Sequence, residues 1–592
     1  MRKTLLSTLA VAVLLGPSTT CLAQGSLKPM VVVSFSGYDK LLADIELIGK
    51  LADNPDMAKG LEMMLKMMTQ GKGLDGLDTK RPWGAVVESD GQSFPVYGFV
   101  PVSDLKKLLE VLKGMNIEIK EAEGGVHEVN LQGRPPLYIK QQSDWAFIGA
   151  SPEALAKMPD DPTKALAGLS DKYDLAVRAS IQSVPPPIRQ MITAQIQMGA
   201  AAGMDRMPNE TDEQYAVRTK LARQGIEQAI AAINDLDMVL LGFTIDNKDE
   251  KAFLDIEITA VEGSKTAADM AAASEQAKTD VAGFFMPEAA ATGNWAGKMS
   301  KADITQAKSS IASVRQKAIA ELANQGLSQE ETDLAKQLLG DILDVVEKTV
   351  ESGKVDGAAA LLLDPDAMTL LVGGHLVEGA KLEKVLKQLA ELATKDNAEI
   401  AKLVKLDAEK HQGVNLHTLS IPIPEETENR DKIVRLVGET LDVVMGISED
   451  GLYMAAGRDA MSKLKEAVDK SKAEAGKEIP PMHISVAATP IAKAIAELGE
   501  DEAKPVAAMV VAALEKSAGK DHVTITSTGI ERGMKIHLEL EQGILKLIGS
   551  AAQMTTGMTP VATPPTGATP PATTPPATTP PSTTPPSTTP PK

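Results

Sequence analysis

The chain has 592 residues, with 61 basic against 80 acidic side chains and a formal net charge of −19, a length that allows about two to four domains. The acidic balance disfavours nucleic acid and anionic lipid as partners, and at 3% aromatics the chain is short of the stacking rings used by carbohydrate- or single-strand-binding surfaces. Cys21 is the only cysteine, which excludes a disulfide scaffold and a Cys/His zinc centre.

The first residues read as an export signal. Arg2 and Lys3 precede the apolar run "TLLSTLAVAVLLG", which is too short to span a bilayer. Cys21 and Ala23 offer small residues for cleavage after Ala23, so residues 1–23 are expected to be removed, Cys21 with them. Ser18 stands three before Cys21, where a lipid-attachment signal carries a larger apolar residue. No second apolar run of about twenty residues follows. The expectation is an exported protein, periplasmic or extracellular.

Residues 56–68, "DMAKGLEMMLKMM", form a helical pattern in which Met57, Met64 and Met68 share a face with Leu61 and Leu65. Methionine can ligate Cu(I), but beside leucines at helical spacing it reads as core filling. Residues 83–100 read as two strands around Asp90-Gly91. A helix follows with Leu105, Leu108, Leu109 and Leu112 on one face, Ser103 as cap and Gly114 as stop. Residues 143–158 give a turn, a short strand and a short helix capped by Ser151. "GASPE" at 149–153 lacks the second glycine of a nucleophile elbow. After a strand at 173–181 comes a helical hairpin, about 185–236, with Thr211 and Gln214 as a capping box. Unmatched later in the chain, it is the best sequence-level guess for a partner surface. Asn209-Glu210-Thr211 matches a glycosylation pattern to which no function attaches. Residues 237–260 read as a strand hairpin around Asn247-Lys248-Asp249.

The same order then returns. A helix opens with the capping box Ser328/Glu331, carries Leu334, Leu338, Ile342 and Val345 as a stripe, and stops at Gly353. Residues 357–377 are strand, turn and strand around Asp364-Pro365-Asp366, followed by a helix with Leu382, Val385, Leu386 and Leu389 on one face. Residues 449–464 match 143–158, residues 481–489 match 173–181, and residues 521–541 match 237–260, with a turn at Glu531-Arg532-Gly533. The expectation is α+β: two tandem copies, 28–265 and 285–545, each a mainly antiparallel sheet with packed helices. From Thr559 to Lys592 the pentad [AS]-T-T-P-P repeats. Such a tail removes backbone donors and has nothing apolar to bury, so it reads as an extended spacer.

Through its export signal, the "VPVSDLKKLLEVL" unit and "DWAFIGASPEAL", the chain resembles exported bacterial proteins of the kind common in planctomycetes. The resemblance implies no activity and brings no functional residues.

The seven histidines are His127, His375, His411, His417, His483, His522 and His537. No HExxH, P-loop, G-x-G-x-x-G after a strand, or EF-hand pattern occurs. His411 and His417 are spaced for neither one helical face nor adjacent positions on a strand. His483, His522 and His537 fall in predicted strands of one sheet and could converge, although strand histidines are more often satisfied locally. The sequence therefore assigns no catalytic residue, no cofactor and no metal ligand. It points to a non-catalytic binding or scaffolding protein whose partner is a protein or an apolar ligand. The alternatives are a carrier of an apolar molecule or lipid, and a hydrolase with residues scattered along the chain.

Overall fold

The computed structural model describes residues 27–556, apart from 91–92, 132, 203, 205, 207–211, 325–327, 396–397 and 518. Residues 1–23, read above as an export signal, the tail, the Asn209 pattern, Thr211 and the Gly91 turn position lie outside the described residues.

The chain forms a mixed helix and strand fold around a 20-stranded antiparallel sheet. In spatial order, the first half contributes Glu118–Glu121, Val126–Asn130, Leu137–Gln142, Trp145–Gly149, Val96–Pro101, Trp83–Ser89, Lys28–Phe35, Leu175–Ser180, Leu236–Asp246 and Lys251–Ala260. The last of these pairs with Gly533–Leu540. From there the second half runs outward as His522–Ile530, Met482–Ala487, Ala291–Lys298, Lys354–Asp364, Ala367–His375, Gly451–Gly457, Thr440–Ile447, Val414–Pro422 and Val404–His411. Read outward from the central pairing, both halves place their strands in the same chain order. Where the sequence suggested a separate sheet in each half, the 251–260 and 533–540 strands join them into one.

Both outer edges are blunted against further strand addition. Glu118–Glu121 is four residues of mostly charged sequence. Val404–His411 carries a register break between Lys405 and Glu409, with Asp407 at φ 49°.

Helices cover the sheet for local reasons. Leu105–Gly114 buries Leu105 and Leu109 and packs Leu108 and Leu112 against strand residues including Val100, Ala146 and Ile148. Its cap is Asp104, not Ser103: the Asp104 carboxylate accepts the Lys107 N–H at 3.2 Å. Gln329–Glu351 begins with the Ser328/Glu331 capping box, and Gly353, at φ 67°, carries the chain out of it. The helical connections trade length between halves. Tyr38–Leu51 and Met57–Met68 stand where the second half has the longer Lys301–Asn324 and Gln329–Glu351. Pro186–Ala202 and Asp212–Asp235 stand where it has the shorter Ala488–Leu498 and Lys504–Leu514. Among the described residues, no helix is long and apolar enough to cross a membrane.

Each half has its own apolar cluster, around Phe99, Phe147 and Leu155 in the first and Phe284, Leu371 and Leu464 in the second. A further cluster bridges the halves. Leu47 and Leu51 meet Leu545 of helix Gln542–Thr556 over Ile245 and Ala252. The helix that follows the last strand of the second half thus packs on the first half. Reciprocally, Lys265–Ala273 follows the last strand of the first half and packs on strands of the second.

Candidate functional site

Side chains alternate between faces along a strand, so residues directly opposite in register share a face. One row crosses the junction of the halves: Ser34, Ala176, Gly242, Asp255, His537, Thr526, His483 and Asn294. Two of the three strand histidines named from the sequence therefore do come together, flanking Thr526 on the adjacent strands. His522 does not. It lies at the start of its strand, where its backbone N–H donates to the Glu541 carboxylate at 2.9 Å and its ring Nδ1 lies 3.1 Å from the same oxygen.

Asp255 is the centre of this row. It is 5% exposed. Its Oδ2 accepts from Tyr173 Oη at 2.8 Å and from Lys535 Nζ at 2.6 Å, while Oδ1 lies 2.6 Å from His537 Nδ1. Burial pushes this carboxyl up, but the hydrogen bonds from Lys535, His537 and Tyr173 outweigh it and hold Asp255 below the usual carboxylate range. An ionised carboxylate only accepts, so the neutral His537 ring holds its proton on Nδ1 and its lone pair on Nε2. Burial, then the bond to Asp255, pushes the Tyr173 phenol well above its ordinary value, so it stays a donor. The His537 ring packs on Phe253 with centroids 5.2 Å apart, and the His483 ring on Phe285 at 4.6 Å. Burial pushes the His483 imidazole down, which favours its neutral form.

The wall at Tyr173 depends on glycine. A Cβ on Gly242 would sit 2.5 Å from the Tyr173 ring. Gly242→Ala is expected to cost about 1–3 kcal/mol by forcing the ring off Asp255; urea unfolding of the variant measures it.

A second cluster lies at the blunted edge. Glu383, Asp407 and the buried His417 bring three potential metal-ligating atoms within 4.8 Å of one another. A cation already stands there: Lys387 Nζ is 2.7 Å from Glu383 Oε1 and 2.8 Å from Asp407 Oδ1, and Asn415 Nδ2 donates to the same two oxygens. His417 Nδ1 accepts the Asp407 N–H at 3.1 Å. The neutral ring then carries its proton on Nε2, facing Glu383 at 3.8 Å, and a protonated nitrogen is no ligand. The cluster is an ion network pinning the bulged edge strand to helix Gly379–Lys395.

The remaining residues singled out from sequence sit apart from one another. His411 pairs with Asp469 at 2.7 Å. His375 Nδ1 faces the Asp450 carbonyl at 3.2 Å, beside a polar cavity of about 90 Å³ lined by Asp280, Lys354, Asp356 and Tyr453. His127 lies on Val126–Asn130. Ser151 accepts the Ala154 N–H at 3.3 Å, a capping role. On helix Met57–Met68, Met57 and Met64 are half-buried, whereas Met63, Met67 and Met68 are exposed.

An apolar groove of about 640 Å³ lies between Lys301–Asn324, Gln329–Glu351 and Gly379–Lys395. Leu322, Leu334, Leu338, Ile342, Leu389 and Leu392 line it, with Glu321 and Glu331 as its acidic residues. Leu334, Leu338 and Ile342 belong to the stripe read from sequence, whose remaining member, Val345, is fully buried. The chain matches no protein-family model, no curated protein and no solved structure.

Proposed function

We propose that this is an exported, non-catalytic binding protein built by internal duplication, and that it takes an amphipathic helix with basic flanks into the groove at Leu338. Export rests on residues 1–23. Duplication is supported by the common chain order of the strands in the two halves. The observation that carries the binding reading is the groove: about 640 Å³, walled by leucine and isoleucine from three helices, is the form of a helix-in-groove receptor. Glu321 and Glu331 on that wall, and a chain of net charge −19, select against an acidic partner and for lysine or arginine beside the apolar face.

The test is fluorescence anisotropy with a labelled Leu/Lys amphipathic peptide. Leu389 and Leu392 are 41% and 44% exposed, so replacing both with glutamate spares the core. Saturable binding is expected, weakened at least about tenfold in Leu389→Glu/Leu392→Glu, since a few apolar anchors dominate such interfaces. Oleate is the second probe. Oleate binding without peptide binding would replace the helix with an acyl chain and make the protein a carrier. Binding of neither, or peptide binding indifferent to the double substitution, would overturn the reading.

A further inference from the structure

We propose that the junction of the two halves is a binding site for a late first-row divalent ion such as Cu²⁺ or Zn²⁺, with His537 and His483 as ligands and Asp255 as the residue that positions His537. The site is separate from the apolar groove and does not depend on it.

Four observations carry this. First, His537 and His483 stand on one face of the sheet with a single strand between them, each directly opposite Thr526. Their Cα atoms are about 10 Å apart, twice the strand spacing. That span lets two imidazoles lean over a threonine and share one ion at about 2.1 Å from each nitrogen.

Second, Asp255 holds His537 in the tautomer a ligand needs. In the neutral ring the carboxylate at Nδ1 places the lone pair on Nε2, at the edge of the ring turned away from Asp255. A carboxylate on the far nitrogen of a ligating histidine is the usual supporting contact in metal sites. Asp255 itself is not a ligand: Oδ1 is used by His537, and Oδ2 by Lys535 and Tyr173.

Third, the rings are braced. Phe253 packs on His537 and Phe285 on His483. This limits the rotamer freedom lost on binding an ion.

Fourth, this pair differs from the other clustered histidines. His522, His411 and His375 face Ala487, Val414 and Gly451 in register, with no second histidine opposite, and His417 presents a protonated Nε2 toward Glu383. The row is also made by both halves: Asp255 comes from the first, and His537, Thr526 and His483 from the second. At the positions matching His537, Thr526 and His483 the first half has Asp255, Gly242 and Ala176, and the Tyr173 ring packs on that glycine. The molecule thus has one such site, not two.

Cu²⁺ is the probe, because it ranks highest for imidazole sites and reports its ligands. The full chain without its export signal is titrated with Cu²⁺ and followed by electron paramagnetic resonance. One equivalent is expected to bind, with two nitrogen ligands in the spectrum. His483→Ala should leave one nitrogen and lower the affinity, and His537→Gln should do the same. Asp255→Asn should keep both nitrogens yet bind roughly 10–100-fold more weakly, as loss of a supporting contact does; a merely structural role for Asp255 would not separate affinity from nitrogen count in a variant shown to be folded by circular dichroism. His411→Ala should bind as the unaltered chain does. Failure to bind one equivalent, or binding unchanged in both His483→Ala and His537→Gln, overturns the proposal. If His537→Gln does not fold, unchanged binding in His483→Ala alone is sufficient to overturn it.

Discussion

Asp255→Ala is expected to destabilise the protein by about 3 kcal/mol, a large share of the stability of an ordinary domain. The loss does not come from the carboxylate's own packing. It comes from what is left behind: the Lys535 ammonium, with only 23% of its side chain exposed, and His537 Nδ1–H lose their acceptor, and the buried Tyr173 hydroxyl keeps only the longer contact to Glu257 at 3.3 Å. Glu257 lies 4.0 Å from Lys535 and absorbs part of that charge, which keeps the estimate at the lower end of the range for a broken buried pair. Because the strand bearing Asp255 pairs with the strand bearing His537 and Lys535, the cost falls on the junction between the halves. The companion variant Asp255→Leu/Lys535→Met/His537→Leu removes two of the three donors with the acceptor, leaves Tyr173 to Glu257, and is expected to return most of the loss, as apolar replacement of buried ion pairs does. Urea unfolding of the three proteins decides it. A cost under about 1 kcal/mol for Asp255→Ala would mean that water satisfies the abandoned donors.

How far this arrangement could be read from sequence depends on the range of the interaction. Helix faces were legible because their period is local: Leu105, Leu108, Leu109 and Leu112 meet the sheet, and Ser328/Glu331 forms the box its spacing implies. Hairpin turns at 247–250 and at Glu531-Arg532 were legible because the turn residues are adjacent in the chain. Ser103 was misread as the helix cap because Asp104 next to it is an equally good acceptor, and only the backbone entry angle decides between them.

The candidate sites show the limit. Tyr173, Asp255 and His537 are spread over more than 350 residues, and nothing local ties them. That His483 and His537 share a face required the register of three strands, and a shift of one residue in any of them would have put the rings on opposite sides. Asp255 falls in the polar phase of the strand "KAFLDIEITA", with Lys251, Glu257 and Thr259, so the alternation itself gave no sign that its charge would be buried. The Glu383, Asp407 and His417 set illustrates the reverse. Ligand-type residues converge, but Lys387 one helical turn beyond Glu383 fills the centre.

The pH dependence of stability should contain a component that rises on mild acidification, traceable to Asp44. This carboxyl is buried beneath helix Tyr38–Leu51, and burial pushes its pKa up to about 6. The charged and polar groups facing it are Lys40, one turn earlier on the same helix, Asp174 on the segment leading into Leu175–Ser180, and Asn247 in the hairpin turn. Lys40 and Asn247 favour the ionised form, while Asp174 and burial oppose it. Asp174 is itself committed elsewhere, to the Ile245 N–H and the Thr244 hydroxyl. A pKa raised from about 4 in the unfolded chain means the folded state binds the Asp44 proton more tightly. The stabilisation is therefore fully present below about pH 4 and is lost as pH rises through 6. Its size is on the order of 2–3 kcal/mol. Carboxylates with lowered pKa, Asp255 and Glu383 among them, act in the opposite sense only below about pH 4, where their hydrogen bonds are protonated away. Between pH 7.5 and 5 Asp44 adds stability as pH falls, while His483 and His417, whose imidazoles burial pushes down, remove it over the same interval, so the Asp44 contribution is read from the difference between the chain and its Asp44→Asn variant. Asp44→Asn mimics the protonated form and leaves Lys40 with Asp174 and the Ile245 carbonyl. It should raise stability at pH 7.5 by about 1–3 kcal/mol, with the gain shrinking as pH falls to 5. Calorimetric scans of both proteins across pH 5–7.5 test the assignment. A gain in Asp44→Asn that does not shrink toward pH 5 would place the titrating group elsewhere, and a destabilised variant at pH 7.5 would show that the Lys40–Asp44 pair outweighs the cost of burying it.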